Sequence, residues 1–261
     1  MIGWGAIATR VAQICAERRI PGITFAAVAV RDKSRFGYPL PEGCRLITRP
    51  EDLVGLNIDL AIEAAGRPAV AMWADQTLRN AGAFAVTSAS ALCDERLLAR
   101  LISVADEVGS RLIVPGGALG DLGALVAASL LPIEEVVHVI SKPPAAWRGT
   151  KAEAIVNLDL LEQCVEFFAG SARQAAEDYP QNANVAVISA LAGIGLDRTR
   201  IMLAADPSIT RNVHRITACG DFGRLELRLE NEPLKTNPKS SEMTALSLVR
   251  LIERSTARLV L

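Results

Sequence analysis

The chain opens with Met1–Ala8, MIGWGAIA, and the reading of this stretch decides the fold. Gly3, Gly5 and Ala8 make a G-x-G-x-x-A pattern. The glycines permit a tight turn and a close backbone approach to a pyrophosphate, and Ala6, Ile7 and Ala8 open a helix whose amides and dipole face the phosphates. By itself the pattern also fits a plain tight turn. The neighbouring residues give it a context. Thr24–Val30 (TFAAVAV) is an apolar run of the length and composition of a buried parallel strand. Arg31 and Asp32 come next, where a dinucleotide site selects its ribose: Asp32 suits a free 2′-hydroxyl and Arg31 a 2′-phosphate, so NAD and NADP both remain open. Only Met1 and Ile2 precede Gly3, so most of the first strand is expected to be missing, at a cost in stability.

Further strands and helices alternate downstream. Ile58–Gly66 (IDLAIEAAG) reads as a strand running into a turn, Pro68–Asn80 as a helix, Ala83–Ser88 as a strand, Cys93–Gly109 as an amphipathic helix and Arg111–Val114 as a strand. This rhythm predicts a Rossmann-type parallel sheet covered on both faces, with ligands at the carboxyl ends of the strands. Ala65, Gly66 and Ser88 would face that crevice. Glu63 either reaches the ribose or nicotinamide or is a solvated strand end.

Pro115–Gly120 (PGGALG) breaks the rhythm and marks a boundary. The residues beyond it predict an α+β domain with a mixed or antiparallel sheet. Asp121–Leu131 reads as a helix, Glu135–Ser141 as a strand, and His214–Asn231 as a hairpin turning at Gly220 and Asp221 with leucines alternating against charges. Within 237–261, Thr244–Ile252 reads as a helix that is expected to return to the first domain. The expected domains are 1–114 with 238–261, and 115–237.

Composition limits the alternatives. The 261 residues are 50% hydrophobic and carry a net charge of −1, which suits neither nucleic acid nor an anionic membrane. The apolar run Val185–Leu196 is too short to span a bilayer, and no signal peptide is read at the start. Five scattered cysteines without a C-x-x-C pair fit reduced thiols in a cytoplasm, with no metal site.

The most specific stretch is Asn182–His214, NANVAVISALAGIGLDRTRIMLAADPSITRNVH. Together with KPPAAWRGT at Lys142–Thr150 and NPKSSEMTALS near the C-terminus, it resembles the L-aspartate dehydrogenase family. The resemblance covers Gly3 to about Leu251. It implies nicotinamide-dependent oxidation of the α-amino group of L-aspartate to iminoaspartate, then oxaloacetate and ammonia, in a homodimer linked to NAD biosynthesis or aspartate metabolism. By position His214 matches the family's catalytic histidine, and Ala118 and Asn184 match its cofactor contacts. The sequence departs from the family at Asp121, Gly123 and Ala89–Ser90, which leaves a different amino acid or imine as the alternative substrate, or a nucleotide-binding protein without activity.

The residue types suit this chemistry. A histidine with an ordinary pKa near ~6.5 can take the ammonium proton at neutral pH before Cα gives up a hydride. The plain reading of His214 is a strand-end histidine bonded to backbone. Asn184 offers a donor and an acceptor to a carboxamide, or it caps the helix at Val185, the reading favoured by sequence alone. Lys142, Arg148 and Lys239 are candidates for binding the substrate carboxylates, with Ser240 as a hydroxyl donor. His138, the second of only two histidines, lies among valines and reads as a strand residue.

Overall fold

The computed structural model describes residues 1–180 and 183–260. Its contacts divide the chain into two compact units, Met1–Pro115 with Thr244–Leu261, and Gly116–Met243. Residues 238–243 fall in the second unit because β-strand pairing within 233–241 holds them there.

The first unit is built from parallel strands. α1 (Ala6–Arg18) leads to β1 (Ala27–Ala29) and β2 (Arg45–Ile47), which pair in parallel. β3 (Ile58–Glu63), α2 (Arg67–Asn80), β4 (Ala81–Val86), α3 (Glu95–Val108) and β5 (Arg111–Ile113) follow. β3, β4 and β5 form a second parallel group. The two groups are joined through Met1–Gly3: Ile2 bridges Ala29 on one side and Glu63 on the other, and Met1 and Gly3 add main-chain bonds to Ala27 and Ala29. The strand expected over Thr24–Val30 is therefore only three residues long. Ala26, just ahead of it, still accepts the Arg45 N–H at 3.0 Å. Beside this strand lies a cavity of about 880 Å³ lined by Met1, Phe25, Ala27, Leu60, Ile113 and Ile252, among others.

Helices cover this sheet on both faces. Leu78, Val70 and Trp73 of α2 and Leu101 and Val104 of α3 pack on Phe84 and Val86. On the other face Val11, Ile14 and Cys15 of α1 meet Ala245, Leu248, Val249 and Ile252 of the C-terminal helix Glu242–Thr256 over Ile62 and Ala85. Fully burying each such aliphatic side chain contributes roughly 1.5–3 kcal/mol.

In the second unit α4 (Gly123–Ala128) is shorter than the expected helix. Asp121 sets its start by accepting the Gly123 N–H at 2.8 Å. Then come β6 (Ile133–Lys142), β7 (Val165–Ser171), α5 (Ala172–Asp178), α6 (Ala183–Ala192), β8 (Arg200–Ala205), β9 (Asn212–Gly220), β10 (Gly223–Asn231), β11 (Pro233–Leu234) and β12 (Asn237–Ser241). One five-stranded sheet runs in the order β10-β9-β6-β8-β7, with only β6 and β8 parallel. α6 (ANVAVISALA) is apolar on nearly every side and mostly buried, as a helix enclosed by its own unit must be. Ser189 is the polar exception in its middle.

Candidate functional site: a dinucleotide turn and a buried histidine pair

At the carboxyl end of the first sheet, Gly3 and Gly5 are glycines for different reasons. Gly3 has φ +90°, and a Cβ there would lie 2.8 Å from the Ala64 oxygen and the Ala65 Cβ. The chain itself requires a glycine at this turn. Gly5 has φ −90°, and a Cβ there would meet nothing within 4 Å. The protein makes no steric demand at position 5, so the small residue leaves space outward. That space lies at the start of the 13-residue α1, whose N-cap, Gly5, has no side chain to cap the first amides. Ala6, Ile7 and Ala8 supply those amides, and a pyrophosphate fits this arrangement.

Glu63 is not a solvated strand end. It is fully buried, and its carboxylate accepts the Ala65 and Gly66 N–H groups at 2.6 and 2.7 Å. It also accepts the Ser88 N–H at 3.0 Å and the Ser88 hydroxyl at 2.9 Å. Ala65, Gly66 and Ser88, the residues expected to face the crevice, are thus held by one side chain. Asp32 accepts the Ser34 N–H and hydroxyl at 2.8 and 2.7 Å, and these bonds hold its carboxyl below the usual range. Arg31 is exposed beside it.

The second unit holds both histidines. On β6 the side chains of Val136, His138 and Ile140 point to one buried face; on β9 His214, Ile216 and Ala218 do the same. The register pairs Ile140 with His214 and His138 with Ile216, so the two histidines are diagonal neighbours. Their rings meet: His138 Nε2 lies 3.1 Å from His214 Nδ1. His138 Nδ1 lies 2.9 Å from the Ser189 hydroxyl, which donates to the Ala186 carbonyl at 3.0 Å. His138 is therefore a strand residue, as expected, and is also bonded to the other candidate ring, which the sequence did not show.

Burial dominates the electrostatics here. It pushes His138 well below its ordinary pKa, and the neighbouring His214 adds to the effect. Burial first, and then the Lys142 charge, lower His214 to about 3. Lys142, at the end of β6, is itself lowered to about 8 by burial, which leaves the ammonium the major form at neutral pH. Its Nζ stands 5.3 Å from the centre of the Trp147 ring. Trp147 is fully buried and donates its Nε1–H to the Ala204 carbonyl at 2.9 Å. A cation on a fixed aromatic floor beside a neutral imidazole is suited to receive a carboxylate.

The other expected residues have varied settings. Ala118 lies in a short turn, Gly117–Leu119, whose Ala118 carbonyl accepts the Asn231 Nδ2 at 2.7 Å. Asn231 is buried and pairs with Asn212, two residues before His214, so β10 ties this turn to the histidine strand. Sequence reading missed Asn231, because only the register puts it there. Asn184 is an exposed residue of the first turn of α6, not the cap of a helix starting at Val185. Asn182, the first asparagine of the quoted block, lies outside the described residues. The Arg148 guanidinium pairs with Asp159 at 2.5 Å, with both side chains largely exposed. Lys239 and Ser240 lie on β12, where the Ser240 hydroxyl accepts from Asn237 at 3.2 Å. Among the described residues no group of three or more His, Cys, Asp or Glu side chains could hold a metal ion, and no helix is long and apolar enough to cross a membrane.

Residues 3–115 match the family described as homoserine dehydrogenase, NAD binding domain, and residues 123–255 match aspartate dehydrogenase, C-terminal. A dinucleotide-binding unit followed by a mixed-sheet unit is the organisation of a nicotinamide-dependent dehydrogenase. An L-aspartate dehydrogenase of Brucella anthropi is 52% identical over 261 residues, covering 100% of this chain and 97% of that protein. One from Serratia proteamaculans is 36% identical over 97% of this chain and 95% of its own length. The crystal structure of aspartate dehydrogenase from Thermotoga maritima has the same fold, with a TM-score of 0.76 at 24% identity, covering 100% of this chain and 97% of that one. The chain belongs to the L-aspartate dehydrogenase family.

Proposed function

We propose that this protein oxidises L-aspartate to iminoaspartate with NAD or NADP, the imine then hydrolysing to oxaloacetate and ammonia. The observation that carries the reading is His214, buried on β9 with its Nδ1 against His138 Nε2 and with Lys142 as the charge acting on it. Nicotinamide, when bound, supplies the hydride acceptor. Gly3, Gly5 and the first amides of α1 would hold its pyrophosphate, Arg31 and Asp32 the adenosine ribose, and Ala118 and Asn184 the nicotinamide end.

The protein's own residues prepare the substrate. An amino acid arrives as an ammonium and cannot release a hydride from Cα until nitrogen has a lone pair. His214 Nε2 takes that proton. Lys142 offers a charge-assisted bond to one carboxylate. Lys239 and Ser240 are candidates for the other, and Arg148 could join them only by leaving Asp159. A bound dicarboxylate also offsets the Lys142 charge, which raises the proton affinity of His214 when a proton must be taken. We further propose a cytoplasmic homodimer that feeds NAD biosynthesis or aspartate metabolism. Half-buried Leu225, Leu227 and Leu229 on the edge strand β10 support an interface there.

The test is absorbance of the reduced cofactor with L-aspartate, in both directions and with both cofactors. Turnover of L-aspartate above other amino acids is expected. Turnover of another amino acid with none of L-aspartate would overturn the reading.

A further inference from the structure

We infer that Ser189 and His138 are positioning residues that keep the proton of neutral His214 on Nδ1 and so leave Nε2 as its lone-pair nitrogen. The inference rests on the reading of His214 as the base and adds what directs it.

Each proton in the chain of bonds has one place to go. The Ser189 hydroxyl has one proton and two neighbours, the Ala186 carbonyl at 3.0 Å and His138 Nδ1 at 2.9 Å. The carbonyl can only accept. Turning the proton towards His138 would leave two oxygens facing each other at 3.0 Å with no proton between them. The hydroxyl therefore donates to Ala186 and accepts from His138 Nδ1–H. A neutral imidazole has one N–H, so His138 Nε2 is bare and must accept. The group 3.1 Å away is His214 Nδ1, which then donates. His214 Nε2 forms no bond among the described residues and carries the lone pair.

The surroundings support both rings being neutral. Ser189 and His138 are wholly enclosed, and His214 is 3% exposed. Among the described residues no carboxylate backs the pair, and the charge acting on His214 is the Lys142 ammonium. A second proton has no partner there until a substrate brings one. When Nε2 takes the substrate proton, the Nδ1–H bond to His138 stays in place and becomes charge-assisted. The proton goes no further, because the far end of the relay is a carbonyl. The relay orients the base and does not conduct.

Long-range proton–nitrogen correlation spectra of the holoenzyme with 15N-labelled histidine read the tautomer directly. His214 is expected with protonated Nδ1 and bare Nε2. The opposite tautomer would overturn the inference, whatever the activity. Variants give a second readout. His138→Phe keeps a ring but no acceptor, and should lower kcat by about 10- to 100-fold, in the range seen when a residue orienting a functional histidine is lost. KM for L-aspartate and binding of the reduced cofactor should stay within about threefold of wild type by that same reasoning. His138→Gln puts an acceptor near the Nε2 position and should recover most of the loss, while Ser189→Ala should release the tautomer. Wild-type kcat in His138→Phe would sink the relay and leave the base reading standing. Turnover in His214→Asn would sink the base reading, while the tautomer measurement would still judge the relay. If His138→Phe does not fold, the wild-type and Ser189→Ala spectra decide.

Discussion

The first unit carries a sheet divided into a pair and a trio of strands, bridged by the short segment Met1–Gly3; the second carries five strands in unbroken order. The first holds together largely through side chains, because α1 and the C-terminal helix pack across the divided sheet. The second gains a continuous hydrogen-bond ladder as well. The histidine pair needs that ladder. A 3.1 Å bond between side chains on neighbouring strands depends on a register that cannot slip, since a slip of one residue turns every side chain to the opposite face. The dinucleotide turn has a looser requirement. Gly3 is fixed by its own backbone contacts, and a ligand approaching main-chain amides does not depend on a distant register.

Four experiments break or sharpen this contrast. The largest effect is expected for His214→Asn, where loss of a general base lowers kcat by about 10²–10⁴-fold. Fluorescence of bound reduced cofactor should change little, because the turn at Gly3 and Gly5 belongs to the other unit. Weakened cofactor binding would show that the two units are not separable in this sense. Second, filling the cavity of the first sheet should stabilise it. An extension of about six apolar residues ahead of Met1, the length of an ordinary strand, would place apolar side chains between Phe25 and Leu60. A net gain of order 2 kcal/mol would raise Tm by roughly 4–8 °C. Equal melting of extended and unextended forms would show that the gap does not limit stability.

Third, pH should act on the second unit. Both histidines have folded pKa values below the unfolded value of ~6.5, so the unfolded chain binds more protons in that window. Their contribution is complete above pH ~6.5 and is lost as pH falls towards about 3 for His214. Each histidine adds a slope of up to about 1.4 kcal/mol per pH unit. Denaturation at several pH values should show the slope, and His138→Gln should reduce it by about half on the same reasoning. A flat profile would mean that the rings are not held neutral. The smallest effect is expected for Arg31→Ala, which should weaken NADP more than NAD, by about tenfold or less for an exposed charge. Equal losses for both cofactors would place ribose selection elsewhere.

The sequence showed the alternation of the first unit because parallel strands buried on both faces read as apolar runs. It overstated Thr24–Val30, because composition reports a strand's suitability for a ladder and not the presence of a neighbour. The Asn182–His214 block pointed to the family and to His214. It did not reveal the partner of His214, since His138 lies far away in sequence and meets it only through the β6–β9 register. The bond between Asn231 and Ala118 was hidden for the same reason. For Glu63 the sequence left two readings open, and burial removes the solvated strand end: a carboxylate at the end of a buried strand satisfied by backbone donors looks, in sequence, the same as one facing water. The start of α6 at Ala183 places Asn184 inside the helix and removes its reading as the cap ahead of Val185; such boundaries are the weakest part of any sequence pattern.

The four bonds on Glu63 have a kinetic consequence. Ala65 and Gly66 follow β3, and Ser88 follows β4, so one carboxylate anchors the amides of two separate connections. Neither connection can swing out without stranding a buried acceptor, which costs several times more than an ordinary hydrogen bond gains. In hydrogen–deuterium exchange the three amides should therefore open as one event with a common rate, and Glu63→Gln, which exchanges an accepting oxygen for an amide donor, should split them into two independently exchanging groups.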